Sequence, residues 1–274
     1  MVQDRELVPY RRHLIADFER ARARHPAWPA VLSEGDSWFS HANVVGHLDD
    51  PRGTGDPKDQ RGWALLRLER SGDEILTILS GAQRARLRGS FERWRLDAVL
   101  FSAGGNDLIG PDLLPLLLPH VEGMAAPDVV AHSRFERRIR QIQDCYRELV
   151  DLLADAGQGA KLFVNSYDYA IPSRRPVELL GLVKVAGPWL LPALEARGIP
   201  RALHAGVVRQ LVDGLCAAID QVAAEPRGAG RLVRVETRGV VRRDYADEIH
   251  PNRAGARRVA KAFESALRGE GVLA

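Results

Sequence analysis

The feature that most constrains this 274-residue chain is an alternation of short apolar runs, bounded by turn residues, with longer stretches of helical periodicity. Five runs have strand length: one through Ala30-Val31-Leu32, and others at 75–79 (ILTIL), 97–102 (DAVLFS), 161–165 (KLFVN) and 232–235 (LVRV). Between them, Phe135, Ile139, Ile142, Tyr146, Leu149 and Leu153 share one helical face, and Val208, Leu211, Leu215, Ile219 and Val222 share another. A last helix starts near Asn252 and uses Val259, Phe263 and Leu267. A first one, in an N-terminal helical extension over 1–28, uses Leu7, Tyr10, Leu14, Ile15 and Phe18. Residues 41–60 read as a Gly/Pro/Asp-rich loop, followed by a short helix through Trp63, Leu65, Leu66 and Leu68. Strands alternating with helices predict a parallel sheet covered on both faces, hence an α/β fold, read here as one domain over 1–274. The 45% apolar fraction supplies the core such a sheet needs. Two irregular, Pro-containing stretches, 107–130 and 166–205, are candidate substrate-binding lids.

In a doubly wound sheet of order 2-1-3-4-5, ligands gather beyond the carboxyl ends of the strands, at the switch between strands 1 and 3. Ser37, in Gly35-Asp36-Ser37, ends strand 1 before a turn towards helix, where backbone donors favour developing negative charge. The same tripeptide also suits a plain helix cap. Gly104-Gly105-Asn106-Asp107 ends strand 3; its glycines admit close backbone approach, and the Asn106 carboxamide can donate to an oxyanion or belong to a simple turn. Gly81, just past the expected second strand, could offer another amide. Before the last helix, His250 has Asp247 three residues earlier, close enough to fix its tautomer; Asp244 is an alternative, and Glu248 points elsewhere. Together these residues stand where a serine hydrolase requires them.

With these blocks in this order, the chain resembles the GDSL-type, or SGNH, hydrolase family. The resemblance implies Ser37 as nucleophile and His250 and Asp247 as its triad partners. It implies an oxyanion hole from the Ser37 and Gly81 amides with Asn106, and a flavodoxin-like three-layer sandwich. The run HPNRAGARRVA resembles the family's continuation after the histidine. The chain departs from the pattern at Trp38, which places a large aromatic beside the nucleophile. Trp38, Phe39 and Gly105 are expected to meet the substrate, and neither a cofactor nor a metal is expected.

The expected substrate is a small-molecule or lipid ester. Leucines in 113–118 and 179–194 supply either an acyl-chain pocket or ordinary helix packing. A carbohydrate O-acetyl esterase or a thioesterase is the alternative on the same site. Rivals from other classes are a metal-dependent hydrolase using His41, His47, Asp49 and Asp50, and a non-catalytic binding protein of this fold. The charge balance, 39 basic against 36 acidic residues, leaves only +3. Arg84/Arg86/Arg88 and Arg134/Arg137/Arg138/Arg140 read as solvated faces, so no nucleic-acid partner is expected. Cys145 and Cys216 lack C-x-x-C spacing and read as buried thiols. With no apolar h-region at the N-terminus and no run of 18 apolar residues, neither a signal peptide nor a membrane span is expected. The chain reads as cytoplasmic, or as secreted if a leader was removed.

Overall fold

The computed structural model describes residues 15–52, 54, 58, 60–156, 159–179 and 183–273. Its strands are β1 (Ala30–Gly35), β2 (Ala64–Arg67), β3 (Ala98–Ser102), β4 (Lys161–Asn165), β5 (Val177–Leu179), β6 (Val183–Ala186) and β7 (Leu232–Val235). Five of them form one parallel sheet in the order β2-β1-β3-β4-β7, while β5 and β6 form a separate antiparallel pair. Every residue of the inner strands β1 and β3 is buried, as expected of parallel strands covered on both faces, and so is every residue of the edge strand β2.

The helices are α1 (Ile15–Arg24), α2 (Val44–Asp49), α3 (Ile75–Ile78), α4 (Gly81–Arg93), α5 (His132–Asp155), α6 (Leu190–Ala196), α7 (Arg201–Ala224) and α8 (Arg253–Gly269). They cover the sheet as two layers, α2 packing with α8 and α5 with α7. On α5 the apolar face is the one the sequence marks: Phe135, Ile142, Tyr146, Leu149 and Leu153 are buried. Each such aliphatic side chain contributes roughly 1.5–3 kcal/mol when removed from water.

The second strand differs from expectation. It is 64–67, where a helix was expected, while 75–79, expected as a strand, begins with α3. A short apolar run does not distinguish buried strand from buried helix by periodicity. Two distant contacts decide: β2 pairs with β1 from Ala30↔Ala64 to Ser33↔Arg67, and the Asp107 carboxylate accepts from the Ile75 and Leu76 amides. Asp107 thereby caps a turn that has no side-chain cap of its own.

Other differences are local. The loop expected over 41–60 contains α2, whose Val44, Val45 and Leu48 are buried. In the first helix Phe18 is buried and Ile15 is exposed, whereas Leu7, Tyr10 and Leu14 lie outside the described residues. The stretch 107–130 holds two 3-10 turns, Pro111–Leu116 and Ala126–Val129, with Leu113, Leu116, Leu117 and Val129 in the core. The basic clusters engage acids: Arg84 with Glu148, Arg86 with Glu34, Arg88 with Glu92, and Arg138 with Asp112. Helix α7 is long and apolar enough to cross a membrane by length and composition, with half of its apolar window buried in the protein.

Candidate active site

Strand β1 ends at Gly35, where a Cβ would stand 2.2 Å from the Ser102 carbonyl oxygen. Only glycine lets the ends of β1 and β3 approach this closely. The chain then turns: Asp36 N donates to Ser102 O at 2.8 Å, and the amides of His41 and Ala42 return to Ser37 O at 2.9 and 2.8 Å. Ser37 therefore opens a single turn over 37–42, with α2 beginning only at Val44.

On the other side, residues 244–252 close on themselves through Ala246 N to His250 O and Asn252 N to Asp244 O, both 2.8 Å. Asn252 then caps α8 by accepting from the Ala254 and Gly255 amides. This loop delivers the His250 ring to the serine: Nε2 lies 2.7 Å from Ser37 Oγ, and Nδ1 lies 2.8 Å from Asp247 Oδ2. The other Asp247 oxygen accepts from the Ile249 and His250 amides, each at 2.9 Å. Burial alone would raise the Asp247 pKa, but these hydrogen bonds and the imidazole outweigh it and hold the carboxyl below its ordinary value. An ionised Asp247 only accepts, so Nδ1 must donate to it and Nε2 is left to accept from the Ser37 hydroxyl.

Asp244, the alternative acid, pairs with Arg258. Glu248 points the other way. Its buried carboxylate accepts from the amides of Ser173, Trp189, Leu190 and Leu191, which ties the segment before α6 to the loop that carries the histidine.

Beyond β3, Gly105 is wedged against Tyr167, where a Cβ would meet the ring at 2.7 Å. This places Asn106 on the same cavity as Ser37, with its Nδ2 donating to Asp73 O at 2.9 Å. Gly81 does not follow a strand, because the segment expected as strand is α3; it is instead the first residue of α4. The glycine after the observed second strand is Gly72. Its neighbours reach both halves of the site: Ser71 Oγ is 2.8 Å from Ser40 Oγ, and Asp73 accepts from Asn106. The sequence signal for Gly72 was Ser71-Gly72-Asp73 itself, legible only with β2 in its correct place.

Trp38 lines the cavity and also braces it: its indole N–H donates to Ile249 O at 3.1 Å and its ring meets Tyr167 edge-on. Phe39 takes the opposite direction, fully buried edge-on against Phe263 of α8, so it belongs to the core and not to the substrate face. Beneath the serine, Asp36 accepts from the Trp38 amide, the Ser102 hydroxyl and the Tyr167 hydroxyl. Burial pushes its pKa up to about 6 against these bonds. Nothing in the sequence pointed to Tyr167, which lies in the stretch read as a lid.

A narrow cavity of about 30 Å³ opens beside Ser37. Its walls are mostly apolar: Leu108 and Ile109 after β3, Ala170 after β4, Leu211, Val212 and Leu215 of α7, and Ile249. Among the described residues, the leucine runs expected to supply such a pocket do not line it: Leu113, Leu116, Leu117, Leu190 and Leu194 are buried in the core, and Leu180 and Leu182 lie outside the described residues. Of the four residues of the metal-hydrolase rival, Asp49 is buried and accepts from the Trp63 indole, while His41 stands apart beside His250, ring centroids 5.0 Å apart. Burial, with His250 nearby, lowers the His41 pKa although Asp247 opposes this.

Among solved structures, the chain is similar to phospholipase A1 from Streptomyces albidoflavus NA297, at 16% identity over 87% of this chain and 99% of that one, TM-score 0.50. It is also similar to the acetyl xylan esterase Est2A from the rumen bacterium Butyrivibrio proteoclasticus, at 10% identity over 90% of this chain and 65% of that one, TM-score 0.51. The chain has the SGNH-hydrolase fold. No protein-family model and no curated protein matches the sequence. In the SGNH fold as this chain builds it, Ser37 stands at the end of β1 and Asn106 just beyond β3, on the two sides of the switch point that the strand order creates.

Proposed function

We propose that the chain is a serine-dependent carboxylester hydrolase that works through an acyl-enzyme on Ser37. The observation that carries this reading is the unbroken line Ser37 Oγ, His250 Nε2, His250 Nδ1, Asp247 Oδ2, with hydrogen-bond lengths of 2.7 and 2.8 Å, at the mouth of an apolar cavity.

In this mechanism His250 takes the Ser37 proton as Oγ bonds to the ester carbonyl carbon, and the carbonyl electron pair moves onto its oxygen. The resulting oxyanion is held by the Ser37 and Gly72 amides and the Asn106 carboxamide, with Gly72 in place of Gly81. As the carbonyl reforms, the alkoxy oxygen leaves with the proton from His250. Water then repeats the sequence on the acyl-enzyme. Asn106→Ala removes one oxyanion donor, and kcat is expected to fall about 10²–10³-fold in steady-state assays on a soluble ester. A loss below about threefold would remove Asn106 from the oxyanion hole.

The walls formed by Leu108, Ile109 and α7 favour an acyl chain longer than acetyl, because each buried methylene contributes about 0.8 kcal/mol and these walls offer it no hydrogen-bonding side chains. Two measurements test the proposal. Intact-protein mass spectrometry with a fluorophosphonate should show one adduct on Ser37, absent in Ser37→Ala. Across a p-nitrophenyl ester series, kcat/KM should rise from acetate towards medium chains. A steep preference for acetate would instead support the O-acetyl esterase reading, and an unlabelled Ser37 would end the serine mechanism.

A further inference from the structure

We infer that His41, His250 and Asp247 form a site for a zinc-class divalent ion, and that an ion bound there reversibly blocks the active site. The ion's inhibitory role rests on the function proposed above; its binding does not.

Each of the three side chains presents one ligand atom, and these atoms lie within 4.8 Å of one another. Two imidazoles and a carboxylate are a donor set suited to Zn²⁺ and its neighbours in the transition series, and poorly suited to Mg²⁺ or Ca²⁺. With ligand bonds of about 2.0–2.1 Å, tetrahedral zinc sets its ligand atoms roughly 3.3 Å apart. The His250 to Asp247 contact, now 2.8 Å, would open by a few tenths of an ångström, and His41 would close by up to about 1.5 Å. His41 can make that movement: it sits at the end of the 37–42 turn, half-buried, and its ring touches His250 edge-on.

The consequence follows from how His250 is used. Both of its ring nitrogens are already engaged, Nε2 with Ser37 and Nδ1 with Asp247. A metal needs a lone pair on one of them. With Asp247 as a co-ligand the ion takes Nδ1, because Asp247 lies on that side of the ring. The neutral imidazole then carries its proton on Nε2 and has no lone pair for the Ser37 hydroxyl, so the ion inhibits and does not activate. His41, with no hydrogen-bonded place in the Ser37–His250–Asp247 line, is the ligand that distinguishes this site from an ordinary triad.

The test uses the full chain freed of metal with a chelator. Calorimetric titration with ZnCl₂ should show one ion bound, and His41→Phe and His41→Asn should each weaken that binding at least tenfold. His47→Phe should leave it unchanged. In parallel, fluorophosphonate labelling of Ser37 should slow at least tenfold in saturating Zn²⁺, recover with EDTA, and be insensitive to Mg²⁺. Zinc binding of equal strength in wild type and both folded His41 variants would overturn the site. Full-rate labelling of zinc-saturated protein would overturn the inhibition. If Ser37 is never labelled, even without metal, the serine mechanism fails, and calorimetry still judges the metal site alone.

Discussion

His250→Gln is expected to lower kcat/KM on a soluble ester by about 10⁴–10⁶, with the loss in kcat and KM changed little, because the histidine acts on bonds that form and break and not on bound substrate. Glutamine can still accept a hydrogen bond from Ser37, yet it cannot take the proton. The hydroxyl thus keeps a partner while losing its base. Asp247→Asn gives a second and smaller loss, about 10⁴, by a separate route. The asparagine oxygen can keep the two backbone amides at 2.9 Å, which leaves its NH₂ facing His250 Nδ1. That contact demands the tautomer with hydrogen on Nε2, which points a donor at Ser37 Oγ where an acceptor is needed. Steady-state kinetics on both variants, with circular dichroism to establish folding, checks the ordering. Equal and small losses, under about tenfold, would show that a water or another side chain serves as base.

The alternation of strands and helices and the Ser37–His250–Asp247 line were legible because their determinants are local. Gly35-Asp36-Ser37 after an apolar run, and Asp247 three residues before His250, are short-range patterns whose geometry a single turn fixes. The second strand was not legible, because its identity is decided by pairing with β1 and by Asp107 capping α3 from 31 and 32 residues away. That displacement carried the glycine proposed for the oxyanion hole with it, from Gly72 to Gly81. The cavity wall was hidden for a different reason: Leu211 and Leu215 have the periodicity of a core face, and α7 is a core helix that also shows part of that face to the cavity. Tyr167 and Ser102, which hold Asp36 beside Ser37, meet it only through the tertiary fold.

Glu34→Gln is expected to make the protein more stable than wild type at pH 9 while leaving the two alike near pH 5. Glu34 lies on β1 and its side chain is almost wholly buried, with Arg86 and the Gly35 amide as its partners. Burial raises its pKa from 4.5 to about 8, against the opposing pull of Arg86 and the amide, while Glu69 and Asp73 add to the rise. The folded carboxyl therefore holds a proton that the unfolded chain has released between pH 4.5 and 8. Stability contributed by that proton is fully present below pH 4.5, falls as pH rises through 8, and then levels off. Across the window the change is on the order of a few kcal/mol. Glutamine imitates the protonated acid, keeps an oxygen for the Gly35 amide, and leaves Arg86, partly exposed, free to turn to water. Urea unfolding at pH 5, 7 and 9 measures the difference between the proteins, in which the titration of Asp36 and the other groups common to both cancels. A difference that does not grow with pH would mean that Arg86 keeps Glu34 ionised throughout. A growing one would mean that, above pH 8, negative charge builds on β1 beside Glu69 and Asp73, residues flanking the loop that carries Gly72.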